Sequence, residues 1–426
     1  MKSWSWTWQN CFTIAWRATI FLLPWQTRWF HDAQLAGWSW EQGRISIYAS
    51  WFFVCLTLWL GGHVVKRQLS QTRWKEIALL LAELVFASTM SILFFSRSGM
   101  AQVIAISEWW IQVILLSSFA LMLWKTEVRP RAIASMVVLS LLPFVALAFI
   151  QTLTQVVIGS KWFGIATHFV ATPGTSVLEH AGERILRVYG GFPHPNIFGG
   201  WLVIGCIAAC VLARRSVKKG EVAIWSSAAA LFSIALVLTF ARSAWIAWIV
   251  AMIALLVAWM RRWRQNKYGL FAVTLASIAF LLTGLWNAPL ITGRVSADSR
   301  LEQKSISARE GGLKAGIDMV RQAPLFGSGP NAELLIIAPT SGISSEPLEP
   351  PHSAYLLALV NLGLFGVIIV ALFLHKHQRQ WRVYAMHPIV VAILVLALLD
   401  HYTWSTWSGQ VLVVLSLLTI DEDDML

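Results

Sequence analysis

The sequence predicts an all-α polytopic membrane protein of about 12 transmembrane helices, and three observations predict it. The 426 residues are 57% hydrophobic and only 13% charged, with a mean hydropathy of +0.64, which excludes a soluble globular domain. Apolar runs repeatedly reach the roughly 20 residues that cross about 30 Å of hydrocarbon. These runs are continuous, whereas a membrane β-barrel needs alternating segments of roughly ten residues. The whole chain, 1–426, reads as one integral membrane domain, and no cleavable signal peptide is expected at its start.

Spans are predicted at about 9–25, 45–64, 76–95, 103–124, 132–151, 196–213, 222–240, 243–260, 268–286, 353–374, 386–400 and 406–420. Five basic clusters lie in every second loop: Lys66/Arg67/Arg73/Lys75, Lys125/Arg129/Arg131, Arg214/Arg215/Lys218/Lys219, Arg261/Arg262/Arg264/Lys267 and Lys376/Arg379/Arg382. Short basic loops stay inside, so all five are expected in the cytoplasm together with both termini. The same rule accounts for the net charge of +12, which in a soluble protein would suggest nucleic acid; no nucleic-acid partner is expected here. Cys11, Cys55, Cys206 and Cys210 fall in apolar runs as ordinary buried thiols, and no Cys/His spacing resembles a metal site. The 25 tryptophans suit interfacial aromatic belts.

Two long loops, 152–195 and 287–352, are left for the external face. They carry Lys161, Arg184, Arg187, Arg294, Arg300, Lys304, Arg309, Lys314 and Arg321, against the positive-inside bias. In the larger loop, between the ninth and tenth spans, "ISAREGGLKAGIDMVRQAP" predicts a short amphipathic helix. Leu313, Ile317 and Val320 form its apolar face, and Pro324 ends it. The "GSGPN" turn that follows has the composition of an anion-binding nest of N–H groups, a weak signal because such turns are common.

Several polar residues gather at this external end, each with a plain reading beside a functional one. His352 in "PPHSAYLLAL" is a helix-start residue at the headgroup level, or a general base. Arg242, in the tight turn "LTFARSAWIAW", snorkels to water, or is a fixed cation that grips phosphate oxygens bidentately. Arg309 and Arg187 are solvated loop charges, or further cations of the same site. In "GGFPHPNIFGG", Asn196 suits a helix N-cap after a stiff Pro-x-Pro start, or lines the site with His194. Asp400 lies at the outer end of a span, where an aromatic belt explains it. Glu83 lies inside a span and keeps a transporter in view. Together, cations and histidines at the mouths of several helices call for an anionic, amphipathic substrate such as a lipid diphosphate.

Four stretches, "RVYGGFPHPNIFGGWL", "TFARSAWIA", "SAREGGLKAGIDMVRQAPLFGSGPN" and "PHSAYLLALVNLGLFG", occur in the order and topology of the O-antigen ligase and polymerase-like superfamily, which the chain resembles over about 185–370. His352-Ser353, nine residues and Gly363-Leu-Phe-Gly366 match the ligase signature. Arg242 with Ile246 resembles an Arg, three residues, Leu element, with Ile in place of Leu, and Arg309 resembles the family's loop arginine.

The resemblance implies a GT-C-like membrane glycosyltransferase, metal-independent, inverting and without a cofactor. Its donor would be an undecaprenyl-diphosphate-linked glycan on the outer (periplasmic) face of the bacterial cytoplasmic membrane. Its acceptor would be a glycan, lipid or protein hydroxyl. His352 would orient or deprotonate that hydroxyl, Arg242 and Arg309 would hold the diphosphate, and Arg187, His194 and Asn196 would line the site. Two other classes compete. A transporter or flippase for a glycolipid needs charge near the midplane, and a non-catalytic scaffold needs neither His352 nor Arg242.

Overall fold

The structure, a computed structural model, describes residues 7–65, 71–94, 99–296, 300–338, 348–378 and 384–421. Each of the twelve expected spans falls on a helix. These are α1 (Trp8–Leu22), α2 (Ala49–Gly62), α3 (Gln71–Phe94), α4 (Met100–Lys125), α5 (Pro130–Thr154), α6 (Pro195–Arg214), α7 (Lys219–Leu238), α8 (Arg242–Met260) and α9 (Lys267–Trp286), then α13 (Ala354–Lys376), α14 (Pro388–Leu399) and α16 (Trp407–Leu418). Among the described residues, seven of these are long and apolar enough to cross a membrane: α4, α5, α6, α7, α8, α9 and α13. Helices α14 and α16 have 12 residues each, about 18 Å of rise at about 1.5 Å per residue, short of a full crossing. The first stops and the second starts where the backbone turns extended, at Asp400 (φ −153°, ψ 157°) and Thr406 (φ −125°, ψ 145°) respectively. The residues between them, with the single turn α15 (Tyr402–Ser405), are given over to polar groups.

Helix α6 is the axis of the bundle. Every residue from Ile197 to Ala213 is buried, the state expected of a helix apolar on all sides. Small residues let its neighbours approach, with Gly199 against Ala241 and Ala244.

The two ends of the bundle differ as the charge pattern predicts. At one, residues of the short basic loops meet: Arg131 pairs with Glu221 at 3.2 Å and Arg215 with Asp421 at 2.6 Å. Lys66, Arg67, Arg379 and Arg382 lie outside the described residues. At the other end the long loops pack together, and here an all-α reading needs correction. Among the described residues four antiparallel two-stranded sheets occur: β1 (Arg28–His31) with β4 (Ile45–Tyr48) and β2 (Gln34–Leu35) with β3 (Trp38–Ser39) between α1 and α2, then β5 (Val156–Val157) with β6 (His168–Phe169) and β7 (Val177–His180) with β8 (Glu183–Leu186) between α5 and α6. The last is closed by Ala181 and Gly182, both at positive φ (51° and 83°), the two-residue turn whose twist suits a hairpin.

The larger loop holds two helices, α10 (Ala288–Ser296) and α11 (Arg300–Gln322), and the single turn α12 (Leu334–Ile337). The expected apolar face of α11 is not its buried face. Leu313 and Ile317 are 55% and 43% exposed, and the buried residues are Glu302, Gly316 and Met319. The reason is packing by size. Gly316 lets the helix settle against Pro351 and Leu356, while Leu313, one turn after Arg309, turns into an open cavity.

Helix α13 is broken at Gly363 (φ 63°, ψ −175°), and the loop segment 324–329 fills the break. Ser328 N–H donates to Val360 O and Gly329 N–H to Asn361 O, both at 3.0 Å. In return Leu364 N–H donates to Pro324 O at 2.9 Å and Phe365 N–H to Leu325 O at 3.0 Å. The amides of Ser328 and Gly329 are therefore spent on helix carbonyls, and the anion-nest reading of "GSGPN" fails at these two groups. A Cβ on Gly363 would collide with the Leu325 carbonyl, and its φ is unfavourable to any L side chain. Gly363→Ala is expected to lower the thermal unfolding midpoint in detergent, a loss of more than about 1 kcal/mol. Gly62→Ala, whose Cβ would meet open space, leaves the midpoint unchanged or slightly raised.

Candidate functional site

The cavity that Leu313 enters has a volume of about 460 Å³. Arg242 opens α8 directly after the turn at Phe240 (φ 48°), Arg309 comes from the middle of α11, and His352 precedes α13; all three line this one void. Ser243 and Ser353 add hydroxyls, and Ile246, Leu313, Leu356, Leu398 and Leu399 supply an apolar wall. Ile246, the residue that stands for Leu in the Arg-based element, is thus part of that wall.

Behind Arg242 lies a buried ion cluster. Arg242 Nη1 is 3.1 Å from Glu302 Oε2 and donates to Arg294 O at 3.2 Å. Glu302, almost fully buried on α11, also pairs with Arg294, whose Nε donates to Phe240 O. Arg309 has no hydrogen bond or ion pair among the described residues. Burial, with Arg242 beside it, holds its guanidinium below the usual range. Burial pulls Arg294 down to about 10, opposed by Glu302. Arginine remains a cation at neutral pH under such shifts.

Arg187, His194 and Asn196 do not line the cavity. They form a polar chain beneath it. Arg187 is buried; its Nε donates to Thr239 O at 2.9 Å and its Nη2 to Asn196 Oδ1 at 2.7 Å. Asn196 Nδ2 then donates to Asp400 Oδ2 at 2.9 Å. The N-cap of α6 is His194 rather than Asn196: its Nδ1 accepts the Asn196 N–H at 3.1 Å, and its Nε2 meets Ser176 Oγ at 3.0 Å. The Pro-x-Pro frame places His194 one residue before the helix, which frees the Asn196 amide to bridge Arg187 and Asp400. Burial pulls Arg187 down to about 9, with the Arg294 charge adding to it. Burial and then Arg187 push His194 down to about 3.

Asp400 and His401 bring this chain back to the cavity. Asp400 Oδ1 accepts the His401 N–H at 2.9 Å, and His401 Nδ1 meets Ser405 Oγ at 2.7 Å. The His401 and His352 rings lie 5.6 Å apart, and His352 Nε2 is 3.5 Å from Glu349. The His352 hydrogen bond holds the Glu349 carboxyl below the usual range, and burial lowers His401. His352, Asp400 and His401 place ligand atoms within 4.8 Å of one another. Both Asp400 oxygens accept hydrogen bonds and His401 Nδ1 meets Ser405 Oγ, contacts that fix the orientation of the two side chains.

Sequence reasoning gave Asp400 to an aromatic belt and assigned nothing to His401, Arg294 or Glu302. A carboxylate at a span end followed by His was the available signal for the first two. It also left unremarked Glu108, buried within α4, whose Oε1 accepts from Gln112 at 3.5 Å.

What these observations define is a multi-pass helical membrane protein with a cavity lined by cationic and apolar side chains together. Residues 227–371 match the family model described as O-antigen ligase. The match takes in Arg242, Glu302, Arg309, His352 and the Gly363 break, and it supports the resemblance to the O-antigen ligase-like superfamily over that stretch. No curated protein matches the sequence.

The depressed His194 sets a pH dependence. Between its ordinary value of about 6.5 and about 3, the unfolded chain binds a proton that the folded chain refuses. Stability contributed by neutral His194 is therefore present above about pH 6.5 and is lost as pH falls. The thermal midpoint in detergent should drop on acidification through this window, and His194→Asn should flatten the slope; an equal slope in the variant would assign the drop to other groups.

Proposed function

We propose that the protein is a glycosyltransferase that moves an oligosaccharide or polysaccharide from an undecaprenyl-diphosphate carrier to an acceptor hydroxyl. The reaction takes place on the outer face of the bacterial cytoplasmic membrane. One observation carries the reading: Arg242, Arg309 and His352, from three separate elements, line one cavity together with leucine and isoleucine side chains. A substrate that suits such a lining is anionic at its head and apolar in its tail.

In this reading the donor diphosphate lies at Arg242 and Arg309, and its lipid runs along Leu313, Leu398 and Leu399. The acceptor oxygen attacks the anomeric carbon from the face opposite the diphosphate. The new C–O bond forms as the bond to the phosphate oxygen breaks, with inversion. His352 takes the acceptor's proton, and undecaprenyl diphosphate leaves with the bonding electron pair. Guanidiniums fixed where charge grows on the leaving group supply the stabilisation that a divalent metal provides elsewhere, so the transfer is metal-independent. Arg187, Asn196 and His194 act from below, by holding Asp400 and the start of α6 in place.

A transporter or flippase draws support from Glu108 buried in α4 and from the broken α13. Reconstitution with an undecaprenyl-diphosphate oligosaccharide, acceptors and EDTA separates the two. The enzyme is expected to release undecaprenyl diphosphate only with acceptor present and in the presence of EDTA. His352→Ala should lower kcat by about 10²–10⁴-fold. Donor crossing the bilayer without release would replace the enzyme by the transporter, and a fully active His352→Ala would remove that residue from the chemistry.

A further inference from the structure

Arg242 is held from one side only. Its Nη1 meets Glu302 and the Arg294 carbonyl, while Nε and Nη2 are buried with no hydrogen-bond partner among the described residues. Orphaned donors on a buried guanidinium are expensive, and one anionic oxygen beside them relieves the cost. The holding group is itself fixed. Glu302 reaches Arg294 with its other oxygen, and Arg294 is pinned to Phe240 O in the turn that precedes Arg242. Glu302 lies on α11, two turns before Arg309, so the helix that supplies one cation of the cavity also sets the attitude of the other.

From this geometry we propose that Glu302 is a positioning residue. It clamps Arg242 at Nη1 so that the Nε and Nη2 donors stand ready for a phosphate oxygen of the lipid-linked donor. The assignment rests on the reading of Arg242 as a diphosphate ligand. A flexible arginine would have to give up rotamer freedom when the diphosphate binds, and the clamp makes that loss in advance. Glu302 does not touch the substrate and takes no part in bond making.

The test is a double-mutant cycle on the full-length protein in liposomes, with undecaprenyl-diphosphate oligosaccharide as the donor probe. Donor KM and kcat are read for wild type, Glu302→Gln, Arg242→Ala and the double variant. Glu302→Gln is expected to raise donor KM about tenfold with acceptor KM unchanged, and to add nothing further in the Arg242→Ala background. Glu302→Asp, which keeps the charge but draws it back by one methylene, should also raise donor KM. Full additivity of the two losses would overturn the clamp. So would a Glu302→Gln protein that loses thermal stability and kcat while its donor KM stays at the wild-type value. If Arg242→Ala itself left donor KM unchanged, the parent reading would fall instead.

Discussion

The four backbone hydrogen bonds across the break at Gly363 hold the largest loop to a membrane helix, and the cavity depends on them. A helix interrupted in an apolar bundle leaves carbonyls and amides without partners, and the segment 324–329 satisfies them as a strand would. The loop is thereby fixed in its middle, just after α11. Asn361 continues the attachment: it donates to Glu333 Oε2 at 2.9 Å and to Ser328 Oγ at 3.2 Å, and accepts from Trp404 Nε1 at 2.7 Å. Trp404 belongs to the turn that follows His401. One side chain in the broken helix thus connects the loop carrying Arg309 with the segment carrying Asp400 and His401.

The second constraint is charge. Arg187, Arg242, Arg294 and Arg309 converge on one end of the bundle, and Glu302 and Asp400 are the carboxylates that face them. Among the described residues these cations outnumber the facing anions, and burial keeps water from screening the surplus. Such an arrangement is costly by itself, and an anion placed among the cations would relieve the cost. Preorganised cations of this kind need no rearrangement as charge develops on a leaving group.

Much of this was legible in the sequence. Continuous apolar runs placed the apolar helices, because a membrane span must be both long and apolar. Described residues of the short basic loops, such as Arg131 and Arg215, do gather at one end of the bundle. Arg242 and His352 could be singled out because each stands at a helix start where charge is out of place, and Arg309 because it lies in an amphipathic loop segment. Other features could not be read. The hairpins of the loops depend on turns such as Ala181-Gly182 that carry only a local signal. The buried face of α11 was misjudged because hydrophobic periodicity assumes that apolar residues face the core, whereas here Gly316 makes the contact and Leu313 faces a cavity. Glu302 looked like one loop acid among many, since its partners Arg242 and Arg294 are brought to it only by the fold.

The bond between Asn196 and Asp400 spans 204 residues of chain, and this bears on biogenesis. As the protein is made, α6 reaches the membrane with Arg187 and Asn196 at its mouth long before Asp400 exists. The helices around α6 can assemble by apolar packing alone. Their polar centre cannot close until the last two short helices are inserted. Closure of this polar chain therefore waits for the segment that follows α14, and a nascent fragment lacking it holds Arg187 and Asn196 without their carboxylate.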